Sequence, residues 1–238
     1  MRTAGWTDSV SVLDRVAAVL EAFGDDDGLG VSEIARRANL PKSTVSRIVT
    51  DLVRERYLDR EGTTIHLGIK VFELGQAVER PRALRRIARP VMSRLHTMTG
   101  ESVDLAVLDD TDIVVIATLA GRSAPNPDAG VGVRTPARAS AMGWAVLAHT
   151  SDDRLRGFPG SPDLQARLAE VRRAGVATDE TCRPAGTVCV ASAILVGAEP
   201  IGVVAVSGPP GAIDARRVGG LVRAAASAIG RQWDQRLP

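Results

Sequence analysis

The side chains best placed to do chemistry lie in one stretch, Leu40-Pro41-Lys42-Ser43-Thr44-Val45-Ser46-Arg47-Ile48-Val49-Thr50-Asp51-Leu52. One of its faces carries Lys42, Ser43, Thr44, Ser46, Arg47 and Thr50, with no acid before Asp51. Hydroxyls donate to phosphates or base edges, and cations attract phosphate. That is the chemistry of holding nucleic acid. The opposite face carries Val45, Ile48, Val49 and Leu52 at i, i+3, i+4 and i+7, which predicts a helix with one apolar stripe. Pro41 suits its first helical position, where a missing N–H costs nothing. A solvated amphipathic helix has the same pattern, and the stretch alone does not separate the two.

Other reactive groups are sparse. Cys182 and Cys189 do not form a CxxC pair, and His66, His96 and His149 are scattered. No metal spacing results, and neither a metal nor a cofactor is expected. The acidic loop from Gly24 to Gly30 lacks the alternating ligands and terminal Glu of a calcium loop and reads as a solvated turn. There is no G-x-S-x-G, no Walker loop, no H-E-x-x-H and no Cys–His pair with an orienting group. The chain is not expected to be an enzyme.

Charge is uneven along the 238 residues. Between Val31 and Pro90 stand 13 Lys and Arg against 7 acids, a net of +6, whereas the whole chain carries +2 and the remainder therefore −4. A basic front on a mildly acidic back suits nucleic acid at one end. Aromatics make up only 3%. That argues against a single-strand binder, which needs stacking platforms. Met1 to Asp8 has no signal-peptide character, and no apolar run reaches membrane-spanning length. The expected location is the cytoplasm, with reduced cysteines and no membrane partner.

The elements that must position the basic helix follow from periodicity. Residues 1–8 read as a tail. Val10 to Phe23 is a helix, capped by Ser9 or Ser11, with Val12, Val16, Val19, Leu20 and Phe23 inward. Ser32 to Ala38 is a short helix with Ser32 as cap and Asn39 as a left-handed end. The 41–52 helix follows after a short turn, which is a helix-turn-helix arrangement. Tyr57, Leu58, Ile65 and Leu67 around Glu61-Gly62-Thr63-Thr64 make a hairpin wing. It puts Arg60 within reach of phosphate, while His66 reads as an ordinary strand residue.

Lys70 to Glu79 is helical, with Val71, Leu74 and Val78 on one stripe. Pro81 interrupts, and Leu84 to Thr99 is helical again. Arg82, Arg85, Arg86 and Arg89 there read as a solvated face. Strands are expected at 102–108, 113–119, from 175, at 187–195 and at 201–207. Helices are expected from Ala139-Ser140 to about Thr150, at 152–158, at 162–174 and at 214–236. Some five strands with helices between them make a mixed α+β domain over a mostly antiparallel sheet.

The pattern resembles the IclR family of bacterial transcription regulators over nearly the whole chain. The telling pieces are Leu29-Gly30-Val31-Ser32-Glu33-Ile34-Ala35, Leu40 to Arg47, Leu67-Gly68 and Leu74-Gly75. In the second half they are Thr99-Gly100-Glu101-Ser102-Val103, Arg134-Thr135-Pro136, Arg173 to Glu180, Cys189-Val190-Ala191-Ser192 and Val206-Ser207-Gly208-Pro209. The resemblance implies a winged helix-turn-helix at 9–68, linker helices at 69–94 and a GAF-like effector and oligomerisation domain at 95–238. It also implies a homodimer or homotetramer on a double-stranded operator, responding to an organic acid or aromatic metabolite. Carried onto this chain, the effector contacts are Ala141, Met142, Asp179, Cys189, Ala205 and Ser207. The helix N-terminus at Ser140-Ala141-Met142-Gly143 would suit a carboxylate.

Two positions depart from the family pattern. Arg138 stands where a His is common, and Gly143-Trp144 where Gly-Lys is common. Trp144 would narrow or seal a cavity, and Arg138 would add positive charge. The expected function is a sequence-specific, effector-controlled transcriptional regulator, with repression favoured over activation. The alternatives are a constitutive regulator whose second domain only oligomerises, and an enzyme with an accessory DNA-binding domain.

Overall fold

The computed structural model describes residues 11–24, 26–122, 130–151, 155, 158, 162–182 and 186–235. The tail, Ser9 as a cap, Asp25, the centre of the loop after Gly121, most of the 152–158 helix and Arg236 lie outside the described residues. The side chain of Cys182 does too. The chain divides into two compact units between Glu79 and Arg80, within the stretch expected to link domains.

The first unit begins with α1 (Val12–Glu21). Ser11 caps it, its hydroxyl accepting from Asp14 N–H while the Asp14 carboxylate accepts from Ser11 N–H. Val19 and Phe23 are buried, but Val12, expected inward, is 72% exposed because it lies in the first turn, beyond the core. A two-residue strand β1 (Leu29–Gly30) leads directly into α2 (Val31–Arg37). Gly30 is the N-cap of α2, so Ser32 lies inside the helix and does not cap it. Ala38 and Asn39 close α2. Leu40 N–H donates to Ala35 C=O and Asn39 N–H to Arg36 C=O, with Asn39 left-handed at φ 52°. This is a Schellman end, which turns the chain within two residues.

Helix α3 (Lys42–Arg54) follows. Pro41 sits one position earlier than expected, as its N-cap, with an extended ψ of 137°. Val45, Ile48 and Val49 are buried, with Leu52 packed beside them. A second Schellman end, with Arg56 left-handed, turns the chain into β2 (Leu58–Glu61) and β3 (Thr64–Leu67). The expected wing is present, but its sheet has three strands in the order β1-β3-β2. Leu29 pairs with Ile65, and both are buried, so tertiary burial rather than local periodicity makes β1 a strand. Gly68 then passes so close to the chain that an added Cβ would lie 2.3 Å from Arg56 O. Helix α4 (Ile69–Ala77) has no fully buried residue, and of its expected stripe Val71 is half-buried while Leu74 and Val78 are exposed, Leu74 to 50%.

The second unit opens with α5 (Glu79–Thr99). Pro81 was expected to break this region. It falls instead in the first turn of α5, where no helical N–H bond is lost, and the break is at Val78. The sheet strands are β4 (Ser102–Asp109), β5 (Asp112–Leu119), β6 (Arg134–Pro136), β7 (Ala177–Cys182), β8 (Thr187–Val196) and β9 (Glu199–Gly208). They form one antiparallel sheet in the order β6-β5-β4-β9-β8-β7, one strand more than counted from the sequence, because β6 is only three residues long. Helix α6 (Ala141–Leu147) ends before the expected Thr150, and α7 (Pro162–Ala174) and α8 (Ala215–Asp234) follow. Asp214 caps α8.

The strands alternate sides. Val103, Leu105, Val190, Val204 and Val206 pack on α5 and α8, whereas Ala106, Cys189, Ala191, Val203 and Ala205 pack on α6 and α7. The second unit is thus helix, sheet, helix, with an apolar core on each sheet face.

Candidate nucleic-acid interface and ligand site

On α3 the buried stripe fixes which side chains look outward. Lys42, Ser43, Ser46, Arg47 and Thr50 are exposed and Thr44 is half-buried. Thr50 Oγ donates to Ser46 C=O at 2.9 Å, so its proton is used within the helix and its oxygen is left as an acceptor. The first turn of α3 holds no acid and no side-chain cap. Positive helix-dipole character and Lys42 therefore add at that end.

Ion pairing sorts the cations of this unit. Arg36 and Arg37 bind Glu33, Arg37 also reaches Asp26, and Arg54 is held by Asp51 and Glu55. The two guanidinium groups hold the exposed Glu33 carboxyl down to about 2. Among the described residues, Lys42, Arg47 and Arg60 have no carboxylate partner. Arg36 and Arg37 are neutralised on α2 and Arg54 in the last turn of α3, whereas Lys42 and Arg47 on the outward face of α3 and Arg60 on the wing are not. Arg60 is exposed on β2, and the wing is braced by His66, whose Nδ1–H donates to Asp27 C=O at 2.6 Å.

The six residues expected to contact an effector lie in the second unit on one side of its sheet. Asp179, Cys189 and Ser207 are consecutive cross-strand neighbours over β7, β8 and β9. Ala205 lies two residues from Ser207, on the same face. Ala141, Cys189 and Ala205 share one buried apolar cluster, with Met142 packed against it. The structure therefore brings the six together, although α6 is only seven residues long and Ser140 Oγ already accepts from Gly143 N–H at 3.1 Å.

Asp104 on β4 belongs to this face and was not anticipated. It is directly opposite Ala205 and Thr118. Thr118 Oγ donates to its carboxylate at 2.8 Å and Ser207 Oγ at 3.5 Å. Burial pushes the Asp104 carboxyl above its ordinary value, and these two hydroxyls pull it back only in part. The signal available in the sequence was an acid at a central position of an apolar strand, where Asp is depleted.

The two departures from the family pattern meet at α6. Trp144 is buried, its indole N–H donating to Arg138 C=O at 2.7 Å, and the Arg167 guanidinium lies 4.0 Å from the ring centre. The Arg138 side chain is exposed. Gly143 has no room for a side chain, since a Cβ would sit 1.8 Å from Ala137 O. The close approach of α6 to the turn before it is what places Trp144 over α7.

Comparison with known proteins bears on the class of protein to which the chain belongs. The family model for the bacterial transcriptional regulator IclR C-terminal domain matches residues 76–231, and that for the IclR helix-turn-helix domain matches residues 12–62. The chain is similar to the acetate operon repressor of Salmonella typhimurium, 29% identical over 236 residues, covering 91% of this chain and 86% of that one. It is also similar to the Pca regulon regulatory protein of Pseudomonas putida, 33% identical over 171 residues, covering 69% of this chain and 57% of that one. Among solved structures it resembles an IclR homolog from Microbacterium hydrocarbonoxydans complexed with 4-hydroxybenzoate. The TM-score is 0.81 at 28% identity, over 93% of this chain and 98% of that one. The Thermotoga maritima IclR structure, with a TM-score of 0.73 at 22% identity over 93% and 98% of the two chains, shares the fold.

Proposed function

The chain belongs to the IclR family of bacterial transcriptional regulators, and on that footing we propose that α3 is its recognition helix, seated in the major groove of an operator. The protein is a DNA-binding regulator with a C-terminal effector domain. The observation that carries the α3 proposal is the segregation of charge, with Lys42 and Arg47 outward and unneutralised while Arg36, Arg37 and Arg54 are tied to acids. Ser43, Thr44 and Ser46 are proposed to reach base edges or phosphates, Thr50 to accept a hydrogen bond, and Arg60 to hold backbone phosphate from the wing.

Ala141, Met142, Asp179, Cys189, Ala205 and Ser207 are proposed to line the effector site, with Asp104 as a further wall. The proposed ligand is a small organic acid or aromatic acid. Support comes from the relative complexed with 4-hydroxybenzoate and from the relatives named for acetate and Pca operons or regulons. Repression is the proposed output, and the second domain is proposed to bind without turnover. We propose a cytoplasmic homodimer or homotetramer, since paired half-sites call for paired reading helices. The exposed apolar side chains Phe72, Leu74 and Val78 support a partner surface in the first unit. No helix among the described residues is long and apolar enough to cross a membrane.

The test is Arg47→Ala against operator fragments selected from random duplex. An expected loss of about 1–3 kcal/mol, concentrated at one base position, marks a base-reading arginine. Unchanged affinity and unchanged sequence preference would overturn the assignment of α3.

A further inference from the structure

Helix α5 carries Arg82, Arg85, Arg86 and Arg89, all exposed. At 100° per residue they fall within a single arc about 100° wide. Leu84, Ile87, Ala88, Met92 and Leu95 fill the other side and anchor the helix on the sheet. The four guanidinium groups thus form a ridge about 10 Å long on a rigid support. The only acid of α5 is Glu79, at its first position, where the helix dipole favours it. Among the described residues none of the four arginines is paired with a carboxylate. The ridge also places like charges at i, i+3 and i+4 four times, each of which opposes helix formation. Neither helix stability nor an internal ion pair accounts for the row.

We propose that Arg82, Arg85, Arg86 and Arg89 form a second DNA contact, which grips the phosphate backbone of the duplex that carries the operator. The inference rests on the DNA-binding reading above. A run of about 10 Å matches some three phosphate steps along one strand, at about 3.4 Å of axis each. Guanidinium forks hold phosphate oxygens in pairs, which suits a row made only of arginine. The contact carries no base information and adds sequence-independent affinity.

The experiment uses the full chain and a fluorescent 40-base-pair random duplex, with affinity measured between 50 and 200 mM KCl. The variants replace Arg82, Arg85, Arg86 and Arg89 by Gln together, or Arg85 and Arg89 only, should the fourfold variant fail to fold. A control replaces Arg173, Arg216, Arg217 and Arg231, four exposed cations of α7 and α8, by Gln. Each lost phosphate contact makes the log–log salt slope shallower by about 0.9. The expected result is a slope shallower by roughly 2 or more and affinity about tenfold or more weaker at 100 mM for the fourfold variant, about half that change in slope for the pair, and no change for the control. Wild-type slope in the ridge variants, or an equal loss in the control, overturns the inference and leaves α3 untouched. Loss of binding to anionic lipid vesicles with an unchanged DNA slope also overturns it, in favour of a membrane. No salt-dependent DNA binding by the wild type overturns this inference and the reading it rests on together.

Discussion

Trp144 gives the sharpest test of how the second unit is held together. Its indole is buried between the turn at Ala137–Ala139 and α7, donates to Arg138 C=O and lies under the Arg167 guanidinium. Trp144→Ala removes the whole ring and is expected to cost about 3–5 kcal/mol. A unit of this size loses roughly 2–4 °C of melting temperature per kcal/mol, so the shift is roughly 6–20 °C. Trp144→Phe keeps most of the apolar contact but leaves Arg138 C=O without its donor, at about 1 kcal/mol or somewhat more. The Arg167 contact contributes about 0.5–1 kcal/mol, read as the coupling between Trp144→Ala and Arg167→Ala in a double-mutant cycle. Thermal and urea denaturation followed by far-ultraviolet circular dichroism measure all five proteins, the double variant included. If Trp144→Ala melts within 2 °C of the wild type, the ring is not part of the core and the account of α6 packing is wrong.

Two further outcomes are expected. Asp104 has its carboxyl raised above the ordinary 3.8 by burial, so the folded chain holds that proton more tightly than the unfolded chain does. The stability it contributes is full below pH 3.8 and is lost as pH rises through the folded-state value. Asp104→Asn keeps an acceptor for Thr118 and Ser207, and should raise stability at pH 7 and flatten the profile above pH 4. A wild-type profile in that variant would show that burial does not strain the group. For the effector site, 4-hydroxybenzoate and short carboxylates should raise the melting temperature of the wild type, since a ligand at 100 times its Kd adds about 2.7 kcal/mol. No shift with any of them would favour a constitutive regulator whose second domain only assembles.

Much of the fold was legible in the sequence. The 3.6-residue stripe of Val45, Ile48, Val49 and Leu52 marked both the buried side of α3 and its outward cations. Stereochemically special residues marked the turns, with left-handed Asn39 ending α2 and Gly62 at the turn of the wing. These signals are local, because a helix face or a positive φ depends on a handful of neighbouring residues. Errors came where position in the core mattered. Val12 has the right period but lies beyond the core, the α4 stripe is mostly exposed, and Pro81 fits the start of a helix as well as a break.

The ligand face shows the same division more sharply. The family resemblance pointed to Cys189 and Ala205, but nothing in the sequence said that Asp104 would join them. Its bond to Ser207 spans 103 residues and exists because β4 lies between β5 and β9. Period and turn stereochemistry determined most of the helices and strands and which of their residues share a face. Sheet order, a property of the folded chain, decided which polar groups meet, because a strand's pattern says which residues share a face but not which strand it will face them against.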